Sequence, residues 1–133
     1  MGNTITYSTT EHELPLGSTK GTIKGLQYDS KSRRYTGMPY ALPPTGSRPW
    51  QQPHPLPSSH SHSKPDGSPF DATEFGPIYA QNLKYTSAGK HEDPDNVYSE
   101  DCLRVNIWTP VPKDGEVKEK KWPVMLWLHG GWF

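Results

Sequence analysis

The sequence predicts an incomplete α/β fold: a mixed sheet whose N-terminal strands run antiparallel and lead into a buried central strand. Three observations carry that reading. The first is short β-type alternation near the N-terminus, around Ile5 and Tyr7 and again at Thr22-Ile23-Lys24. The second is the continuous apolar run Val124-Met125-Leu126-Trp127-Leu128, the pattern of an interior strand covered on both faces. The third is thin core material. Leu, Ile, Val and Phe make up about 16% of the 133 residues, below the ~20% under which chains tend to be disordered. Five Trp, seven Tyr and a balance of 14 basic against 14 acidic residues argue against disorder. A piece of a larger globular domain satisfies both facts, so the whole of 1–133 is expected to belong to one domain.

The elements follow in order. Pro15-Leu16-Gly17-Ser18 separates the first two β runs, giving a hairpin or small meander. Arg33 to Ala41 begins as a strand that Pro39 interrupts. From Leu42 to Pro77 prolines fix φ so often that long helices and central strands are excluded. Within that stretch 56–69 (LPSSHSHSKPDGSP) reads as a surface loop, and 84–96 as another. Phe70 to Gln81 is aromatic and packs down between them. Leu103, Val105 and Ile107 alternate with Arg104, Asn106 and Trp108, a half-buried strand ended by Pro110 and Pro112. Lys113 to Lys121 is a charged connection turning at Asp114-Gly115. No segment carries a convincing helical period.

Several function classes are disfavoured. Zero formal net charge and no basic helix face leave no nucleic-acid footprint. The longest apolar run is far short of the ~20 residues of a membrane span. The first residues show no basic n-region or apolar h-region, there is no Asn-x-Ser/Thr sequon, and Cys102 is the single cysteine. Together these give an expectation of a cytoplasmic setting and a free thiol at Cys102.

The chemistry-bearing pattern is His129-Gly130-Gly131-Trp132, directly after the apolar run. Acyl transfer passes through a tetrahedral oxyanion, best met by pre-aimed backbone N–H groups. Glycine lets backbone approach a substrate closely. Gly-Gly after a strand is equally an ordinary turn, so the pattern alone is weak. No Gly-x-Ser-x-Gly nucleophile elbow exists, and Gly17-Ser18-Thr19-Lys20-Gly21 imitates it only with Thr19 at its centre. His54, His60 and His62 form a cluster that reads as solvated loop, since no acidic or cysteine partner accompanies it.

Five stretches in order change the weight of the glycine turn: Gly21 to Gly25; Tyr35 to Gly46 (YTGMPYALPPTG); Phe70 to Pro77 (FDATEFGP); Ser99 to Pro110 (SEDCLRVNIWTP); and Pro123 to Gly131. The chain resembles the N-terminal part of a type-B carboxylesterase, the carboxylesterase/cholinesterase group of α/β-hydrolases, from about Gly17 onward. The resemblance implies a serine esterase or lipase acting on small-molecule carboxylic esters, with no metal or organic cofactor. It places the oxyanion hole at Gly130, Gly131 and Trp132, with His129 shaping the turn and no triad member in this segment. It also makes Glu100 and Asp101 structural residues near the site. Trp132 stands where the family has a small residue; its N–H survives, while its indole narrows the acyl side. Tyr79 occupies the position of the family's disulfide partner for Cys102, which leaves that thiol unpaired. Pro49 precedes Trp50 where the family has arginine, which puts an ion pair from Arg48 to Glu100 in question. Two alternatives remain: a non-catalytic cholinesterase-like interaction protein, and a truncated inactive product. A downstream elbow, acid and histidine would distinguish them from the enzyme.

Overall fold

The computed structural model describes residues 6–79, 98–112 and 121–128. Five strands form one sheet: β1 (Thr9–Pro15), β2 (Thr22–Tyr28), β3 (Ser32–Pro39), β4 (Phe70–Asp71) and β5 (Arg104–Pro110). The path is β1-β2-β3-β5, antiparallel throughout, with β4 running parallel to β2 at Ile23↔Phe70. The sheet is therefore mixed, as the sequence predicts, and no helix occurs among the described residues.

The hairpin lies later than the Ile5–Tyr7 alternation indicates. Thr9 to Pro15 is mostly polar, so hydrophobicity does not reveal it; its period is visible only in half-buried His12 and Leu14 between exposed Glu11 and Glu13. The register puts Leu14 opposite Ile23. Tyr7 instead rests edge-on against Tyr28, centroids 5.3 Å apart. Gly17, at φ 106°, takes the turn in a conformation that side chains resist.

The central feature is a bulge in β3. Between the Tyr35↔Ile107 and Met38↔Val105 pairs, β3 spends three steps where β5 spends two. The extra residue bends the strand, and Gly37 sits there at φ 66°. Thr36, fully buried, then turns toward β4: its N–H and its hydroxyl both donate to the Ala72 carbonyl, at 2.9 and 3.0 Å. Ala72 N–H in turn donates to Lys24 O at 2.7 Å. The Gly37 N–H, displaced from the ladder, is satisfied by Asn106 Oδ1 at 2.9 Å. The core is small: Ile23, Tyr35, Met38 and Ala72, flanked by Leu14, Leu16, Phe70 and Val105.

Gly25 shows how tightly β2 and β3 pack. A Cβ there would stand 2.3 Å from Arg34 O and 2.4 Å from the Tyr35 ring. Gly25→Ala must therefore push backbone against a buried ring, and we expect a loss of ~1–3 kcal/mol. A urea midpoint unchanged from the parent would contradict this packing.

Two expectations about burial are corrected. Val124 to Leu128 forms no strand; its five side chains are 75–91% exposed. An interior strand needs neighbours on both edges and a layer on each face, and none of the described elements supplies them. Ile107 on β5 is likewise open, at 37% exposure, although Val105 packs on the core. The loop 84–96 and most of the charged connection 113–121 lie outside the described residues.

Candidate active site

The predicted oxyanion residues Gly130, Gly131 and Trp132, with His129, lie outside the described residues. What the structure describes is the corner built by the Ser99–Leu103 stretch ahead of β5. Ser99 N–H donates to Ile78 O at 2.9 Å, and Ile78 bridges Tyr98 in parallel. Two tight turns follow, Cys102 N–H to Glu100 O and Arg104 N–H to Cys102 O, at 2.9 and 2.8 Å. Ser99 Oγ accepts from Asp101 N–H at 3.1 Å. The Ser-Glu-Asp-Cys-Leu stretch is thus a fixed corner that feeds β5.

Arg104 ties this corner to the bulge. Its guanidinium pairs with the Asp101 carboxylate and donates to Gly37 O at 3.3 Å. Its stem lies against Gly76, whose Cα also faces Gly37 Cα; a Cβ on Gly76 would meet Arg104 Cγ and Gly37 Cα, both at 3.1 Å. The glycines of YTGMP and FGP therefore meet one arginine, which explains why small residues stand at both positions.

Of the residues the sequence placed near the site, Asp101 has a partner in Arg104, and Glu100 is exposed. No ion pair joins Glu100 to Arg48 among the described residues. Arg48 donates Nε–H to Pro43 O at 2.8 Å and braces its own turn. The important cation is Arg104, which hydrophobic alternation treated only as the outward partner of Val105. Its signal was present in the sequence: an Asp three residues before an Arg, next to a strand start.

Cys102 is a free thiol and half-buried. It lies at the entry to β5, and we expect slow labelling by a neutral maleimide in the native protein and fast labelling in denaturant. Equal rates in both conditions would show an open or activated thiol. Tyr79, in the place of a disulfide partner, is about half exposed.

The remaining candidates separate clearly. Thr19 sits in the exposed turn after Gly17. His54 is exposed and contributes its carbonyl to Leu42 N–H. His60 and His62 are not solvated as expected: both are half-buried, ring against ring. A groove of about 390 Å³ is lined by Tyr7, Tyr28, Lys31, Arg34 and Trp108 among others, and holds neither histidine nor cysteine. Arg34 is clamped there between the Tyr28 and Phe75 rings, at 5.6 and 5.1 Å, and donates to Thr73 O at 2.6 Å.

Comparison with known proteins adds what the described residues leave open. A family model described as the carboxylesterase family matches residues 8–133. An "Uncharacterized esterase/lipase" of Schizosaccharomyces pombe is 36% identical over 102 residues, 77% of this chain and 17% of that protein. A "Carboxylic ester hydrolase" of Gibberella moniliformis is 34% identical over 130 residues, 94% of this chain and 22% of that protein. Among solved structures, a PNB esterase superposes with TM-score 0.54 at 30% identity, covering 71% of this chain and 18% of its own. The chain spans about a fifth of the length of the curated relatives it matches.

Proposed function

The chain belongs to the carboxylesterase family, and from that premise we propose that 1–133 is the N-terminal part of a serine-dependent carboxylic ester hydrolase. Its contribution is the oxyanion turn at Gly130, Gly131 and Trp132. The observation that carries this reading is the unbroken order of five family stretches ending in His129-Gly130-Gly131. The sheet, its Arg104-tied corner and the superposition on an esterase support it.

The proposed chemistry is acyl transfer in two halves. A serine oxygen attacks the ester carbonyl carbon while a histidine takes its proton. The carbonyl oxygen becomes an oxyanion, which the N–H groups of Gly131 and Trp132 stabilise. The C–O bond to the alcohol breaks as the histidine returns the proton to it. Water then repeats the sequence on the acyl-enzyme and releases the acid. Nucleophile, acid and base are supplied outside 1–133, because no Gly-x-Ser-x-Gly elbow occurs within it. The steps need no metal or organic cofactor. The Trp132 indole would narrow the acyl side of the pocket and favour short acyl chains.

We further propose a reducing, cytoplasmic setting, supported by the half-buried free thiol of Cys102 and by Tyr79 in place of a cysteine partner. No helix among the described residues is long and apolar enough to cross a membrane.

The test is the coding sequence beyond Phe133, followed by an esterase assay of the longer protein. The proposal expects an elbow, then an acidic residue, then a histidine, and turnover of a short-chain ester. A longer family protein without the elbow would instead support the interaction-protein reading.

A further inference from the structure

The loop after Pro57 is held down more firmly than its Ser/Pro-rich composition predicts. Lys20 Nζ donates to Ser58 O at 2.6 Å, and Lys20 O accepts the His62 N–H at 2.9 Å. Ser63 Oγ accepts the Thr22 N–H at 2.9 Å. The loop lies so close to Gly21 that a Cβ there would come within 2.5 Å of both Ser61 Oγ and Ser63 N. These contacts fasten 58–63 to the turn between β1 and β2. None of those six residues belongs to the hydrophobic core. The hold is therefore polar, and a change of charge can undo it.

His62 sits in the middle of the clamp. Its backbone N–H makes one of the fastening bonds, and its half-buried ring stands edge to face with His60, centroids 4.8 Å apart at 87°. His62 Nδ1 is closed off from solvent and has no hydrogen-bond partner; the same holds for His60 Nε2. A neutral imidazole carries a proton on one ring nitrogen, an imidazolium on both. Charging His62 in place therefore puts an N–H on a closed-off nitrogen that no acceptor faces. An unmatched buried donor is costly, and an unpaired charge more so. The surroundings do not compensate. From the β1–β2 turn the charged group facing His62 is the Lys20 ammonium, and from its own loop the titratable neighbour is His60. No Asp, Glu or Cys groups with the two rings among the described residues. Asp66, the acid nearest in sequence, is held by the N–H and hydroxyl of Ser68 at 2.9 and 2.6 Å.

We propose that His62 is an acid-release latch: protonation of its ring frees the loop 58–63 from the β1–β2 turn. A neutral ring stays packed against His60. A cationic ring is stable only where water meets both N–H groups and Lys20 is distant, and reaching water breaks the clamp. Burial first, then His60 and the Lys20 ammonium, hold His62 below the ordinary histidine value of 6.5 while the loop is closed. In the released loop the ring regains that value. The closed form thus binds fewer protons. Its advantage is complete above 6.5, declines as pH falls below it, and levels off once pH passes the closed ring's own value. One proton gives at most about a tenfold fall in the closed-to-open ratio per pH unit. The latch is shut at neutral pH and is independent of ester hydrolysis.

Amide hydrogen exchange of the full chain, measured from about pH 7.5 to about pH 5 beside the NMR titration of the imidazoles, tests this. Protection factors remove the intrinsic pH dependence of exchange. The His62 and Thr22 N–H groups should lose protection below 6.5, by up to about tenfold per pH unit, in step with the His62 ring. The Thr36 and Ala72 N–H groups, bonded within the sheet region, should keep theirs. His62→Phe retains a ring with nothing to protonate, and should hold His62-site and Thr22 protection flat across the range. A His62 ring that titrates at or above 6.5 would overturn the latch. So would parent protection that stays constant through the ring's titration, or an undiminished acid loss in a His62→Phe chain whose Thr36 and Ala72 amides remain protected. If that variant does not fold, the parent's two curves decide alone: coincidence supports the latch, and divergence ends it.

Discussion

Given a p-nitrophenyl short-chain ester, the purified 133-residue chain should show no turnover above buffer. The reason is chemical before it is structural. No serine elbow is present, and a triad acts as a unit: removing its members from an intact enzyme leaves only what the oxyanion hole and binding provide. That remainder depends on a shaped, water-poor pocket. Here the Val124–Leu128 segment before the proposed oxyanion turn forms no strand and is exposed along its length, with Val124 and Met125 at 91%. Protein-dependent turnover that persists through repurification would require a nucleophile the sequence does not show.

The second large effect belongs to a longer protein carrying this segment. Gly131→Pro removes one backbone N–H and fixes φ near −65°. Losing one oxyanion donor costs ~10²–10³ in kcat, about 3–4 kcal/mol. KM should move much less, because the donor matters most where charge develops. His129→Gln should be milder, since the role proposed for that residue is only to support the turn. A kcat within a few-fold of the parent, in a folded Gly131→Pro protein, would remove the oxyanion assignment. Complete loss in His129→Gln would give that histidine a direct chemical role.

What could be read from the sequence depended on how local the physics was. The end of β3 at Pro39 follows from proline's missing donor, a property of a single residue. The β1 position did not follow. A polar run such as Thr9–Pro15 becomes a strand because β2 lies beside it, and that partnership is not local. The β3 bulge was hidden for the same reason. Gly37 carries no local signal of a bulge; its job is to let β3 step around Ala72 and Gly76, residues more than thirty positions away. Val124–Leu128 shows the opposite error. Its composition names the environment the strand needs, and composition cannot supply the partners. His60 and His62 looked solvated because their loop is polar. The clamp from Lys20, Thr22 and Gly21 that half-buries them is written in a different hairpin.

The most direct measurement is covalent trapping. A longer protein containing this segment is treated with an organophosphate ester, and the adduct is located by peptide mass mapping. The account predicts one adduct per molecule, on a serine beyond residue 133, and none on any peptide from 1–133. An adduct on Thr19, or on any other residue of this segment, would contradict it. So would a folded longer protein that forms no adduct.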